Sequence, residues 1–267
     1  MLPKLIMIKG AGDLASGVAH RLWSCGFNVV MLELNKPLVV RTNVSFAAAV
    51  YKQTVHVESV KAILCEDKEQ ASNAITDRAI PVLIDPEAKA LGLFKPAVLV
   101  DAIMAKGNRL TRIDDAELVI GLGPGFSAGV DAHAVIETKR GHELGKVIYS
   151  GQAAEDTKEP GKIEGYGRER LLRAPQAGIF EPHKQIGDLV KKGDHVASVD
   201  GNKIYAQIDG LIRGMLYEGL EVNEGTKVGD IDPRGASINY ETISDKARAI
   251  GGGVLEAILH RYHFPVS

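Results

Sequence analysis

The chain has 267 residues, enough for one large domain or two modest ones, each with a real core. Its 45% hydrophobic and 25% charged content is that of an ordinary globular protein, and a formal net charge of −2 lacks the basic surplus of nucleic-acid binders. Two distant cysteines, Cys25 and Cys65, exclude a disulfide scaffold and a C-x-x-C metal or redox pair.

The first apolar run, residues 5–8, is too short for a signal peptide or a membrane span, so a cytoplasmic protein with no membrane partner is expected. Short apolar runs then alternate with amphipathic segments. Strands are predicted at 5–8, 29–32, 82–84, 98–100, 118–121 and 147–149, and helices at 14–23, 45–51, 69–78 and 130–138. This is the pattern of β-α units on a Rossmann-like parallel sheet, a ligand-binding domain over residues 1–165. Gly10, Glu33, Asp85, Asp101, Gly121 and Ser150 each follow a predicted strand, so they should gather along one sheet edge.

Gly10-Ala-Gly12-Asp13-Leu-Ala15 matches G-x-G-x-x-A between a strand and a helix, and Glu33 closes the next strand. Gly10 permits the turn, Gly12 lets backbone approach a phosphate, Ala15 allows tight helix packing and Glu33 suits ribose hydroxyls. The same turn without any ligand is the plain alternative. An acidic Glu33 favours an NAD-like over an NADP-like nucleotide. Asp101, Lys106 and Asn108 form a polar set after a buried strand, to be weighed against a structural ion pair.

The run 121–129 holds five glycines and one proline after an apolar strand, offering Gly121, Gly123 and Gly125 as a backbone cradle for an anion. It lacks the Lys-Ser/Thr of a P-loop. Gly125-Phe-Ser127-Ala-Gly129 matches a nucleophile elbow in letters only, because a proline and no tight strand-to-helix turn precede the serine. Ser127 is better read as a hydroxyl donor to a bound anion. Arg140 and His142 supply a charged fork and an imidazole on the same edge, unless they form a solvated turn.

Residues 173–200 and 205–232 repeat without gaps at an offset of 32, with A-x-x-x-G and G-x-x-V-x-x-G-x-x-V in both copies. Two interlocking hammerheads are expected, as in the barrel-sandwich hybrid of biotinyl and lipoyl domains, over residues 166–236. Lys203 lies near the hairpin between the copies but lacks the setting of a carrier lysine, so no covalent biotin or lipoate is expected. Neither His260-x-x-His263 nor Asp230-Ile-Asp232 makes a convincing metal cage, and Asp232 with Arg234 suggests a structural turn. A C-terminal helix (237–267) should start at a Thr242–Asp245 capping box and dock on the first domain. Gly251-Gly252-Gly253 either breaks it or admits a close backbone or ligand.

The stretches IKGAGDLASGVAHRL (8–22), VDAIMAKGN (100–108), VIGLGPGFSAGVDAHAVIETKRGHELG (119–145), GDIDPR (229–234) and ISDKARAIGGGVLEAIL (243–259) carry a resemblance. The chain resembles the YqeB-type accessory proteins of selenium-dependent molybdenum hydroxylases. Its first half is similar to the Rossmann part of xanthine dehydrogenase accessory proteins. The resemblance implies a maturation role: binding molybdopterin or its dinucleotide for modification or insertion into a xanthine dehydrogenase-like hydroxylase partner. An NAD-dependent oxidoreductase is the alternative, with Lys106 or His142 as proton donor. Residues alone do not choose between binding and catalysis, nor between monomer and homo-oligomer.

Overall fold

The structure, a computed structural model, describes residues 2, 4–105, 111–155 and 159–263. It divides into two compact units, one of residues 1–37, 44–157 and 243–267, the other of residues 38–43 and 158–242.

The first unit is built from strands β1 (Leu5–Lys9), β2 (Asn28–Glu33), β3 (Thr54–Val57), β4 (Val60–Cys65), β5 (Ile80–Ile84), β6 (Val98–Asp101), β7 (Leu118–Leu122), β8 (Ser127–Ala128), β9 (Ala134–Ile136), β10 (Val147–Ile148) and β11 (Gly151–Gln152). Its helices are α1 (Asp13–Ser24), α2 (Ala49–Lys52), α3 (Lys68–Thr76), α4 (Ala90–Phe94) and α5 (Asp245–His263). Nine strands form one sheet in the order β10-β9-β7-β6-β1-β2-β5-β4-β3. The central strands are apolar almost throughout because helices cover both faces, and Ile6, Met7 and Ile8 of β1 are all fully buried. Met7, Val30, Leu32, Leu99 and Val119 face Ala71 and Ala74 of α3. Each large aliphatic side chain buried this way contributes roughly 1.5–3 kcal/mol.

On α1, Ala15, Val18, Ala19 and Leu22 recur at helical spacing and are buried. Gly17 lets α5 approach: a Cβ there would lie 2.6 Å from that of Ala247. Gly251 sits against the Gly17 carbonyl and Arg21, and a Cβ at Gly253 would collide with the Gly145 carbonyl. The triple glycine therefore does not break α5, because two of the three make room for neighbouring backbone. Ser244 caps the helix through the Ala247 N–H, so the Thr242 box is displaced by two residues.

The second unit holds β12 (Leu171–Arg173), β13 (Gly178–Pro182), β14 (Leu189–Val190), β15 (His195–Val199), β16 (Asn202–Tyr205), β17 (Gly210–Met215), β18 (Glu221–Val222) and β19 (Lys227–Asp232). They make two four-stranded antiparallel sheets, β12-β19-β17-β14 and β16-β15-β13-β18. The 32-residue repeat maps β12, β13, β14 and β15 onto β16, β17, β18 and β19, so each sheet takes two strands from each copy. Gly178 and Gly210 occupy equivalent corners at φ +152° and +158°, where a Cβ would strike Asp200 and the Asp232 carbonyl respectively.

The expected layout of a Rossmann-like parallel sheet followed by a biotinyl/lipoyl-like barrel-sandwich hybrid needs correction. The large sheet is mixed, with antiparallel β3 and β10 at its two edges, and no helix crosses from β6 to β7 or from β7 to β9 among the described residues. The second unit also recruits residues 38–43, with Arg41 bridged to Met215. The predicted helix at 130–138 is absent: the His133 ring accepts the Val119 N–H, and Ala134–Ile136 pairs between β7 and β10. The predicted helix at 45–51 is reduced to short 3-10 turns and the single turn α2. There the N–H groups of Phe46 and Ala47 bond to the Ser16 hydroxyl and the Ala11 carbonyl instead of to preceding turns.

Candidate functional site

Strand β1 sits between β2 and β6, and the chain winds one way from it through β2, β5 and β4, then the other way through β6, β7 and β9. Such a reversal leaves a crevice beyond the carboxyl ends of the two central strands, where open α/β sheets bind ligands. Three strand ends carry the relevant residues. Gly10 turns the chain at φ +91°, with the Ala102 carbonyl 3.2 Å from where its Cβ would be. The buried Ala11 donates its N–H to Glu33 Oε2 at 2.8 Å. Gly12 is the extended N-cap of α1, has no side-chain cap, and faces open space: nothing lies within 4 Å of its Cβ position. Asp13 opens the helix, and Ala15 is buried against the sheet, as its place in the motif requires.

Glu33 ends β2 with Oε1 on the Leu34 N–H and Oε2 on that of Ala11, both at 2.8 Å. Burial raises its carboxyl above the ordinary glutamate value, against the opposing pull of the two N–H groups. A carboxylate oxygen holding one N–H keeps a lone pair, so both oxygens can still accept ligand hydroxyls. Around it, Leu34, Ile84, Ile103 and Met104 are 50, 45, 43 and 37% exposed at the ends of β2, β5 and β6. These large apolar side chains stand open along the carboxyl rim of the sheet, on both sides of β1.

Asp101 does not face this crevice. It is 2% exposed and pairs with Lys9 at 3.3 Å, with the Thr111 hydroxyl at 2.5 Å and with the Ile103 N–H at 3.1 Å. Lys9 Nζ also bonds the Thr111 hydroxyl. Sequence reasoning overlooked Lys9 and Thr111, although a lysine closing the apolar run Leu-Ile-Met-Ile was the available signal. Lys106 lies outside the described residues. Asp85 caps α4 through the N–H groups of Lys89 and Ala90.

The glycine-rich loop after β7 folds on itself. Phe126 packs over Gly121 and forms a small core with Ala128, Val135 and Ala153. Gly123 at φ +72° lies against Thr138, and Gly125 has φ +105°. The N–H groups of Ser127, Gly129, Val130 and Asp131 bond within this segment, and that of Gly123 donates to the Ile136 carbonyl of β9. Ser127 lies in β8 with its hydroxyl 3.5 Å from the Gln152 amide, and no helix follows it, so there is no nucleophile elbow. Arg140 makes a two-point ion pair with Asp245, and His142 is exposed nearby. Glu137, also overlooked, is a buried carboxylate accepting from Lys139 and Ala154. In the second unit Lys203 is exposed in β16, and Asp232 closes the Arg234 turn. Among the described residues no three His, Cys, Asp or Glu side chains group to hold a metal, and no helix is long and apolar enough to cross a membrane.

No family model matches the chain. It is 51% identical over 260 residues to a protein of Escherichia coli K12 described as uncharacterized protein YqeB, covering 97% of this chain and 48% of that relative. The chain thus spans about half the length of the curated relative it matches. Solved structures similar to it include an aspartoacylase family protein from Mesorhizobium loti (15% identity, 86% and 85% of the two chains, TM-score 0.27). Two more are the product-bound ectoine utilization protein EutE (DoeB) from Ruegeria pomeroyi (12%, 86% and 85%, 0.27) and a succinylglutamate desuccinylase from Silicibacter sp. TM1040 (11%, 86% and 85%, 0.25). Scores this low transfer no activity. The expectation of a maturation protein for selenium-dependent molybdenum hydroxylases, and its alternative, an NAD-dependent oxidoreductase, is corrected by the relative's own description. The YqeB relative is described without a function. Nothing ties the chain to molybdenum, selenium, a xanthine dehydrogenase or a hydroxylase partner.

Proposed function

We propose that the first unit binds a nucleotide at the carboxyl ends of β1, β2 and β6. The observation that carries this reading is that nothing lies within 4 Å of the Gly12 Cβ position at the start of α1, next to the Ala11 N–H that Glu33 accepts. Ribose hydroxyls would donate to Glu33, and phosphate oxygens would accept N–H groups at the start of α1. The base would lie on the rim of Leu34, Ile84 and Ile103. Asp13 in that first turn places a negative charge beside the phosphates, so they add less to affinity than a helix terminus alone would provide. No residue in the crevice selects a pterin, and the reading does not extend to one.

Calorimetric titration with ADP tests the reading, using Gly12→Asn as the blocked form. Asparagine is a favoured N-cap and has room at this position, so the fold should hold. Its side chain would take the N–H groups offered to phosphate and fill the space. Binding to the wild type that drops at least tenfold in the variant supports the proposal; equal binding by both would refute it.

A further inference from the structure

His133 lies where the glycine-rich loop returns to the sheet. Strand β9 pairs in parallel with β7, starting with Ala134 opposite Ile120. One residue earlier, His133 meets Val119 with both its backbone and its ring. Its N–H donates to the Val119 carbonyl at 2.8 Å, and the Val119 N–H donates to its Nδ1 at 3.0 Å. A parallel ladder would offer that N–H a backbone carbonyl. Here the chain before His133 turns away, with the N–H groups of Val130 and Asp131 both on the Ser127 carbonyl. The imidazole takes the place of the missing acceptor. Val119 is fully buried, so its N–H would be costly to leave unpaired.

An imidazole nitrogen that accepts a hydrogen bond carries no proton, so in the neutral ring the hydrogen sits on Nε2. A second proton would go to Nδ1 and set one N–H against another. Burial, and after it the Arg261 guanidinium of α5, hold the imidazole below its ordinary value of 6.5. Arg261 in turn pairs with Glu117 at 3.5 Å, and Asp131, on the segment before the ring, accepts the Ser127 N–H. For a lowered histidine the stabilisation is full above 6.5 and is lost as pH falls through the folded value.

We propose that His133 is an acid-sensitive latch on the neck of the glycine-rich loop. Its neutral ring holds the returning chain against β7, and protonation of Nδ1 releases it. The loop closed by this neck carries Phe126, packed over Gly121, so release loosens the cover on the end of β7.

Nitrogen-15 NMR on the full chain tests this from about pH 7.5 down to about pH 4. At the upper end Nδ1 should be bare and Nε2 protonated. Across the ring's own titration the protection factor of the Val119 amide, corrected for the intrinsic pH dependence of exchange, should fall at least tenfold. In His133→Asn a side-chain amide oxygen can accept the same N–H and does not titrate, so protection should persist to the acid end. A proton on Nδ1 at the upper end, or unchanged Val119 protection across the titration, would overturn the latch, and both are read without any variant. An equal fall in His133→Asn would also overturn it, by tracing the opening to another group.

Discussion

Glu33 is held in place by two backbone N–H groups, yet burial still raises its carboxyl above the ordinary value of 4.5. A raised acid favours the protonated form in the fold. Its contribution to stability is therefore full below about pH 4.5 and is lost as pH climbs through the raised folded value. Melting curves between pH 4 and 7 should show this loss in the wild type and a flatter profile in Glu33→Gln. A variant that tracks the wild type would place the titration elsewhere. Asp13→Asn should strengthen ADP binding and leave adenosine binding unchanged, because only the phosphates feel the charge at the start of α1. Asp101 belongs to a different class of residue. Removing it takes the carboxylate from beside the buried Lys9 ammonium, so Asp101→Ala should cost about 3–5 kcal/mol in denaturant unfolding. Sequence alone could name Asp101 as a strand-end acid, but it did not reveal that a lysine closing β1, five strand ends earlier in the chain, would consume it. That pairing exists only once β1 and β6 lie in register.

At the level of elements, the three glycines of α5 make different predictions. Gly253→Ala forces a Cβ into the Gly145 carbonyl and should destabilise by about 3 kcal/mol. Gly252 faces open space, so Gly252→Ala should stabilise by about 1 kcal/mol through helix propensity. Thermal or urea unfolding of the two variants should move in opposite directions, and a shared direction would contradict the packing described. The sequence allowed a break or a close approach at this point without choosing. Only the position of Gly17 and Gly145 against α5 decides it. The segment 130–138 was misread for a related reason. Its apolar residues sit at spacings compatible with a helix, but its hydrogen bonds go to β7 and β10, partners far outside the local pattern. The β3–β4 hairpin was missed although Thr54 to Val57 alternates as an edge strand does.

For the molecule as a whole, periodic features were legible and tertiary closures were not. The offset of 32 between residues 173–200 and 205–232 announced paired strands that the two small sheets display copy for copy. The β1–α1 turn and Glu33 could be read because their spacing is local to one β-α-β unit. The glycine-rich run 121–129 looked like a cradle because glycine content signals freedom of backbone, and sequence does not show that Phe126 would fold back and fill it. The central claim is that this chain holds a nucleotide beside Gly12 and Glu33. Titration of ADP into the wild type and Gly12→Asn, with the melting temperature of each recorded, addresses it most directly. The account predicts two equally stable proteins, with affinity reduced at least tenfold, about 1.4 kcal/mol, in the variant. Equal affinity in two equally stable proteins would contradict it.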